Sequence, residues 1–188
     1  RDTSINLTQY IAGKLGERLG RFINTQCTTG AIKARGIVNR ATTGITAASA
    51  SAAVADELIQ LVHQIDPAYR IGSSWMMNDA IALAYRLLKH GDGHYIWSDN
   101  FAGGQPNSLL GYPVFINNDM ATAAASAITT LFGQLSAYKI RMVEEIRITQ
   151  TDQRYWEYDQ TGVAAYVVFD GDLLDAGTHP VKTLVLHS

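Results

Sequence analysis

The chain has 188 residues, 47% of them hydrophobic and 17% charged, so it is long enough to bury a core as one domain or two small ones. Its formal net charge is -2, and no dense run of Lys or Arg is present, which argues against a protein that reads nucleic-acid sequence. The single cysteine, Cys27, excludes an internal disulfide, and no apolar run reaches the roughly 20 residues that cross a bilayer, so we expect a soluble intracellular protein without a membrane span.

The first predicted element is a long amphipathic helix from about Leu7 to Gln26, which ends at Thr28–Gly30. Its apolar residues recur at steps of three and four: Leu7, Ile11, Leu15, Leu19, Phe22 and Ile23. Three glycines interrupt this helix: Gly13, Gly16 and Gly20. Each costs up to about 1 kcal/mol relative to alanine, so we expect another element to pack closely against them. Because the chain begins at Arg1 without a methionine, close to the helix start, we also expect a longer protein upstream.

Residues 31–52 are rich in Gly, Ala, Ser and Thr, a composition that predicts a connection between two packed units. A second helix is predicted from Val54 to Ile65, because Asp66-Pro67 stops it. His63 lies on the flank of this helix. We expect it to be structural and not a ligand.

A short apolar stretch, residues 73–77, predicts a strand. Asn78 directly after it is suited to cap a third helix, which the apolar spacing extends through Leu88. The segment KHGDGHYIW, residues 89–97, follows at the point where this helix must end.

That segment holds the strongest candidate metal site in the chain, formed by His90, Asp92 and His94. Two imidazoles and a carboxylate are the ligand set of many mononuclear metal enzymes, and Glu144 or Glu145 would then serve as the base. The competing interpretation is a helix C-terminus, because glycines adopt the left-handed conformation needed there. We favour the turn, since three ligands in a glycine-rich turn are not held at one point by rigid elements.

Other catalytic patterns are weak. No Gly-x-Ser-x-Gly elbow is present, and Gly103-Gly104 lacks the Lys-Ser/Thr of a phosphate loop. Adjacent Glu144 and Glu145 in a strand would face opposite sides of a sheet, and Cys27 has no base at a recognisable spacing. We therefore expect no catalytic residue, no metal and no cofactor.

The sequence pattern of the remaining chain predicts mainly β-strands. Short strands are predicted at 95–97 and 111–116, on either side of the Gly- and Asn-rich loop SDNFAGGQPNS. Further strands are predicted within the following ranges: 127–133, 137–149, 162–171 and 181–188. The fold class is therefore α+β, and we expect the first helix to pack with the last strands.

The order of these segments is more specific than any one residue. NTQCTTG, MMNDAIALAYRLLK, HGDGHYIW, LLGYPVFINNDM, FGQLSAYKI and FDG follow one another along the chain. This succession closely resembles the C-terminal part of major capsid proteins of tailed bacteriophages of the HK-ninety-seven type. The resemblance covers nearly the whole chain, and LLGYPV after a G-x-Y-I strand is its most specific element.

The resemblance implies a capsid fold with two lobes. Residues 1–43 would give the spine helix and connector of a peripheral lobe, 44–137 a mixed α/β axial lobe, and 138–188 long antiparallel strands returning to the peripheral lobe. It implies a structural, non-enzymatic subunit that forms pentamers and hexamers of an icosahedral phage or prophage shell around DNA. The implied partners are other copies of the chain, a scaffolding protein, a maturation protease and a portal. The implied location is the virion capsid and, during assembly, the host cytoplasm.

The sequence also departs from the family pattern. His90 stands where an acidic residue is usual and His94 at a variable position, which argues against a ligand role. Gln134 replaces a common acidic residue, and Val168 stands before FDG where an arginine is frequent. The N-terminal arm and the long hairpin loop of the family are missing from the sequence, and WEYDQTG lacks the asparagine that some members cross-link to a lysine.

Two alternatives remain open at the level of sequence. One is the shell protein of a non-viral nanocompartment with the same fold, which would enclose protein cargo in place of a genome. The other is a metal-dependent hydrolase that uses His90, Asp92 and His94.

Overall fold

A computed structural model of the chain describes residues 7–31, 34–50, 53–89, 93, 95, 97, 108–143, 146–151, 153–154, 156–158 and 160–188. The helices in these ranges are α1 (Leu7–Thr29), α2 (Ile37–Arg40), α3 (Ala55–His63), α4 (Pro67–Arg70) and α5 (Asp79–Arg86). The strands are β1 (Thr42–Thr46), β2 (Ser74–Met77), β3 (Ser108–Leu109), β4 (Tyr112–Ile116), β5 (Ile128–Gly133), β6 (Tyr138–Met142), β7 (Arg147–Thr151), β8 (Gly162–Tyr166), β9 (Phe169–Leu173) and β10 (Val181–Val185). Two 3-10 turns lie at Leu135–Ala137 and Trp156–Tyr158.

The largest sheet has six strands in the order β1-β10-β5-β2-β4-β3. Strand β5 runs antiparallel to its neighbours β10 and β2, whereas the pairs β1–β10 and β2–β4 are parallel. The central strands β2 and β5 are almost wholly buried, which explains their near-continuous apolar sequences. We call this sheet, together with α3, α4 and α5, the sheet unit.

The core of the sheet unit is built on two stacked aromatic rings. Trp75 and Phe132 are both 0% exposed, and their ring centroids lie 4.4 Å apart. Leu61 of α3 and Tyr85 of α5 pack in the same buried cluster. The Tyr85 hydroxyl also shares a hydrogen bond of 2.8 Å with Oγ1 of Thr130, so the polar end of this buried ring is satisfied.

The other strands form two separate antiparallel ribbons, β6 with β9 and β7 with β8. Helix α1 lies against β8, and Phe22 of α1 meets Phe169 of β9 edge to face, with ring centroids 6.4 Å apart. The expectation that the first helix packs with the late strands is confirmed. We call α1 with these four strands the ribbon unit.

A second apolar cluster joins the two units. Its buried members come from α2, β5, β9, β10 and the loop after β4: Ile37, Val38, Met120, Leu131, Leu173 and Val181. The units are therefore in apolar contact and are not separated by a solvated linker.

Several element boundaries differ from the sequence predictions. Residues 31–52, predicted as a connection, contain α2 and β1, because the β-branched residues of β1 pair with β10 in spite of the flanking small residues. The stretch 137–149 holds two strands, β6 and β7, and the stretch 162–171 holds β8 and the start of β9. The two strands of each stretch have different partners, since β6 pairs with β9 and β7 pairs with β8. The predicted strand at 95–97 is represented by one bridge between Lys89 and Tyr95.

Of the helices that the structure describes, none combines the length and apolar character that a bilayer crossing requires.

The glycine face of α1 differs from expectation as well. A Cβ atom built on Gly13, Gly16 or Gly20 would meet no atom within 4 Å, the helix's own backbone aside. The predicted close packing partner is therefore not supplied by the described part of the chain.

Replacing Gly16 by alanine is expected to raise the free energy of unfolding of the isolated chain by about 0.5–1 kcal/mol. The substitution removes the entropic cost of glycine in a helix, and the open surroundings accept the methyl group. Chemical denaturation with urea measures this change. A loss of stability would show that the glycine face is already covered within the subunit.

Candidate assembly surfaces

Of the KHGDGHYIW segment after α5, the structure describes Lys89, Gly93, Tyr95 and Trp97. Lys89 pairs with Tyr95 in an antiparallel bridge, and its Nζ atom lies 4.8 Å from the centre of the Tyr95 ring. Gly93 between them has a φ of +88°, the left-handed conformation that the sequence predicted for a glycine here. The candidate ligands His90, Asp92 and His94, like Glu144 and Glu145, lie outside the described residues. Within the described ranges, no group of three His, Cys, Asp or Glu side chains could hold a metal ion.

Replacing Gly93 by valine is expected to cost about 1–2 kcal/mol of stability, because a β-branched residue is strained at positive φ. A Cβ atom at this position would meet no other atom within 4 Å, so the cost is conformational and not steric. Asparagine, which tolerates the left-handed region, is the matched control and should cost clearly less. Equal losses for the two variants in urea unfolding would contradict this explanation.

The ionisable side chains that the protein buries are engaged with the fold itself. Glu57 is 8% exposed, and its carboxylate accepts hydrogen bonds from the backbone N–H groups of Ala48 (2.7 Å) and Val54 (2.9 Å). It thereby fixes the chain that leads into α3, which is a structural role. Cys27 is buried, and that burial raises the pKa of its thiol, the opposite of what a nucleophile requires.

Polar contacts reinforce the junction between the two units. Asn24 of α1 donates from its amide to the side-chain oxygens of Asn117 (3.0 Å) and Asp119 (2.5 Å) in the loop after β4. Asn117 in turn donates to Oγ1 of Thr28 at 2.8 Å. Helix α1 is thus tied to the loop after β4 by the amide side chains of Asn24 and Asn117, and Asp119 supplies a charged acceptor.

Two carboxylates strengthen other parts of the same junction. Burial raises the pKa of Asp172, but hydrogen bonds from Nε of Arg40 at 2.7 Å and from the Leu173 backbone N–H at 2.8 Å, together with the charges of Arg40 and Arg35, lower it overall. Asp175 accepts hydrogen bonds from the backbone N–H of His179 and from its Nδ1 atom, and these contacts lower the pKa of Asp175. The same imidazole lies 3.0 Å from Oγ1 of Thr42, so the connection between β9 and β10 is linked to the start of β1.

The ribbon unit exposes much of its apolar surface. All five residues of β7 are exposed, and no described side chain of β8 is fully buried. Large exposed apolar side chains follow one another in this part of the chain: Ile140, Met142, Val143, Ile146, Ile148, Tyr166 and Val168. A two-stranded ribbon is at best marginally stable in water by itself, so this surface would gain from a covering partner.

A groove opens between α1 and the connection from β8 to β9. It has a volume of about 270 Å³ and is lined by Phe22, Gln26, Val167, Val168 and Phe169. Phe22 is 51% exposed and Val168 58% exposed, so the apolar rim is accessible. Local sequence patterns did not predict this groove, because its walls come from residues more than a hundred positions apart. The one relevant sequence signal was the departure at Val168.

A second depression lies on the sheet unit, between α5 and β4. Its volume is about 250 Å³, and its lining combines apolar and charged residues: Asp79, Ala82, Leu83, Arg86, Trp97, Val114 and Ile116. The Arg86 guanidinium lies 5.2 Å from the centre of the Trp97 ring. Phe115 and Ile116 on the neighbouring strand are also exposed.

Comparisons with known proteins agree on the family. The model of the phage capsid family matches residues 1–184. A search of curated proteins finds no significant match. Among solved structures, the capsid of an empty GTA particle computed with C5 symmetry superposes with a TM-score of 0.88 at 24% identity, covering 100% of this chain and 68% of that one. A chain from Mycobacterium phage Adephagia superposes with a TM-score of 0.73 at 16% identity, and the match covers 100% of this chain and 67% of that one.

Proposed function

The chain belongs to the phage capsid family, and on that premise we propose that it is a structural subunit of an icosahedral shell. Its copies would assemble into pentamers and hexamers that enclose a DNA genome without reading its sequence. The fold resembles that of capsid chains, which confirms the fold inferred from the order of segments. In this proposal the chain carries no catalytic residue and binds no cofactor.

The observation that carries the proposal is the apolar surface that the ribbon unit leaves exposed. Large apolar side chains in this part of the chain are exposed: Ile140, Met142, Val143, Ile146, Ile148, Tyr166 and Val168. Among the described residues, strands β7 and β8 pair only with each other, so no third strand covers their edges. Exposed apolar surface of this kind marks a contact with a partner.

The division into lobes is part of the proposal. The sheet unit would be the axial lobe, predicted as residues 44–137, and the ribbon unit would be the peripheral lobe, predicted as 1–43 and 138–188. Strand β10 pairs with β1 and β5, so the last strand of the third segment lies in the six-stranded sheet. A functional boundary would accordingly fall in the connection between β9 and β10.

Expression of the full-length protein followed by negative-stain microscopy tests the shell. Thin-walled icosahedral particles are the expected result, and a strictly monomeric or dimeric species under all conditions would contradict it. Nuclease-protected DNA inside particles would distinguish a phage shell from a nanocompartment, which would hold protein cargo. Co-purification of a scaffolding protein, a protease or a portal would test the further partners, and fractionation of infected or induced cells would test assembly in the host cytoplasm.

Elemental analysis of the purified protein tests the hydrolase alternative. Stoichiometric zinc or iron that is lost when His90 and His94 are replaced by alanine would overturn the structural role. We expect metal contents far below one equivalent, unchanged in the double variant.

A further inference from the structure

The groove between α1 and the β8–β9 connection is suited to bind an apolar side chain. Phe22 and Phe169, which meet edge to face, both line it, and so does Val168, which is 58% exposed. Four of the five lining side chains are apolar, with Gln26 as the polar one. Water in such a concave apolar site makes few good hydrogen bonds, so its displacement by an apolar side chain is favourable.

We propose that this groove receives an apolar side chain from a second copy of the chain, and that Phe22 and Val168 anchor a contact between subunits. The inference rests on the proposed function and deepens it, because it assigns the contact to particular residues. Aromatic side chains such as that of Phe22 are enriched at the cores of interfaces, and binding energy concentrates in well-packed, desolvated pockets near the centre of a contact.

A second copy is the occupant that the exposed apolar surface favours. The large exposed apolar side chains of the ribbon unit extend well beyond the groove: Ile140, Met142, Val143, Ile146, Ile148 and Tyr166. A small apolar ligand in a cavity of about 270 Å³ would leave most of them uncovered. A macromolecular partner is needed to cover the rest, and in a closed symmetric assembly that partner is another copy.

The apolar surface also continues beyond the groove onto β6. Met142 is the register partner of Phe169, and the Val143 backbone N–H donates to the carbonyl of Val168 at 3.0 Å. Met142 and Val143 are 49% and 60% exposed. The groove is therefore the deepest part of a wider apolar face, which is the expected anatomy of an interface core.

The depression on the sheet unit is a weaker candidate for the same role. Asp79 and Arg86 line it, and a partner that covered it would have to desolvate charged groups. The groove has no charged residue in its lining. Association through the groove should accordingly persist at high ionic strength, because an apolar contact is not screened by salt.

The test is the substitution Val168→Asp in the full-length protein, followed by sedimentation velocity over a range of concentrations and at low and high salt. A carboxylate buried in the contact would be left unpaired, so we expect the dissociation constant to rise roughly tenfold or more. Ile71→Asp is the matched control, since Ile71 is 83% exposed in the turn after α4 and belongs to the sheet unit. We expect this control to associate like the unaltered protein.

The outcomes separate the two proposals. If the unaltered protein assembles and Val168→Asp assembles equally well, or if both substitutions weaken assembly to the same extent, the groove assignment is overturned while the shell remains. If the unaltered protein never self-associates, the shell itself fails.

A local measurement keeps the assignment testable should Val168→Asp fold poorly. A photo-crosslinking phenylalanine derivative at position 168 should attach to a second copy of the chain in assembled protein, as read by mass spectrometry. Crosslinks confined to the same chain would overturn the proposal.

Discussion

Replacing Trp75 by alanine is expected to lower the free energy of unfolding by about 4 kcal/mol, among the largest effects of any single substitution in this chain. The side chain is 0% exposed and stacks on Phe132, so its removal leaves a large cavity between β2 and β5. Its Nε1–H also donates to the Leu109 carbonyl at 2.9 Å, which ties β2 to the β3–β4 hairpin. Equilibrium urea unfolding, followed by circular dichroism, measures the loss.

Trp75→Phe is the matched control for this prediction. It keeps an aromatic ring against Phe132 but removes the donor, so the buried Leu109 carbonyl is left without that partner. We expect a smaller loss of about 1–3 kcal/mol. If the phenylalanine variant is as unstable as the alanine variant, the hydrogen bond and not the packing dominates at this position.

Local sequence pattern predicted the elements that depend on local signals. The cap at Asn78 is confirmed, since its Oδ1 atom accepts from the Ala80 N–H at 3.0 Å. The LLGYPV motif has a direct physical explanation, because Leu110 and Gly111 have φ values of 52° and 82° and form the two-residue turn between β3 and β4. Such a turn requires positive φ at both central positions, and the glycine satisfies one of them at no cost.

Long-range pairing was not predictable from the same patterns. The continuous β-like stretch 137–149 gives no sign that β6 pairs with β9 while β7 pairs with β8. Likewise, the Gly- and Ser-rich context of β1 concealed a strand that depends on β10, more than a hundred residues later. In both cases the partner strand, and not the local sequence, decides the structure.

The candidate assembly groove was missed for a related reason. Phe22 was assigned to the apolar stripe of α1, where a half-exposed ring cannot be distinguished from a buried one by periodicity. Val168 was noted as a departure from the family pattern, without the information that it lies close to Phe22. In the folded chain Val168 and Phe22 line the same groove, so the departure at Val168 belongs to the candidate assembly groove.

Replacing Gly133 by alanine is expected to cost about 3 kcal/mol of stability, which explains the glycine in the FGQLSAYKI motif. Gly133 has a φ of +143°, at the end of β5 where this strand pairs with both Val181 and Ser74. A Cβ atom there would overlap the Pro180 carbonyl oxygen and lie 2.8 Å from Cα of Val181, both backbone atoms that cannot move aside independently. The cost therefore combines conformational strain with overpacking where β5 meets the chain entering β10.

Gly111→Ala separates these two contributions. Gly111 also has positive φ, 82°, but a Cβ atom there would meet nothing within 4 Å, so only strain of about 1 kcal/mol is expected. The two variants, compared by urea unfolding, should differ by about 2 kcal/mol, and that difference measures the steric contact between β5 and the chain entering β10. Equal losses would mean that the Pro180 backbone moves aside at little cost, and the contact between β5 and the chain entering β10 would then be less rigid than its packing indicates. That distinction matters for the six-stranded sheet, because the same backbone contact fixes where β10 enters it beside β5.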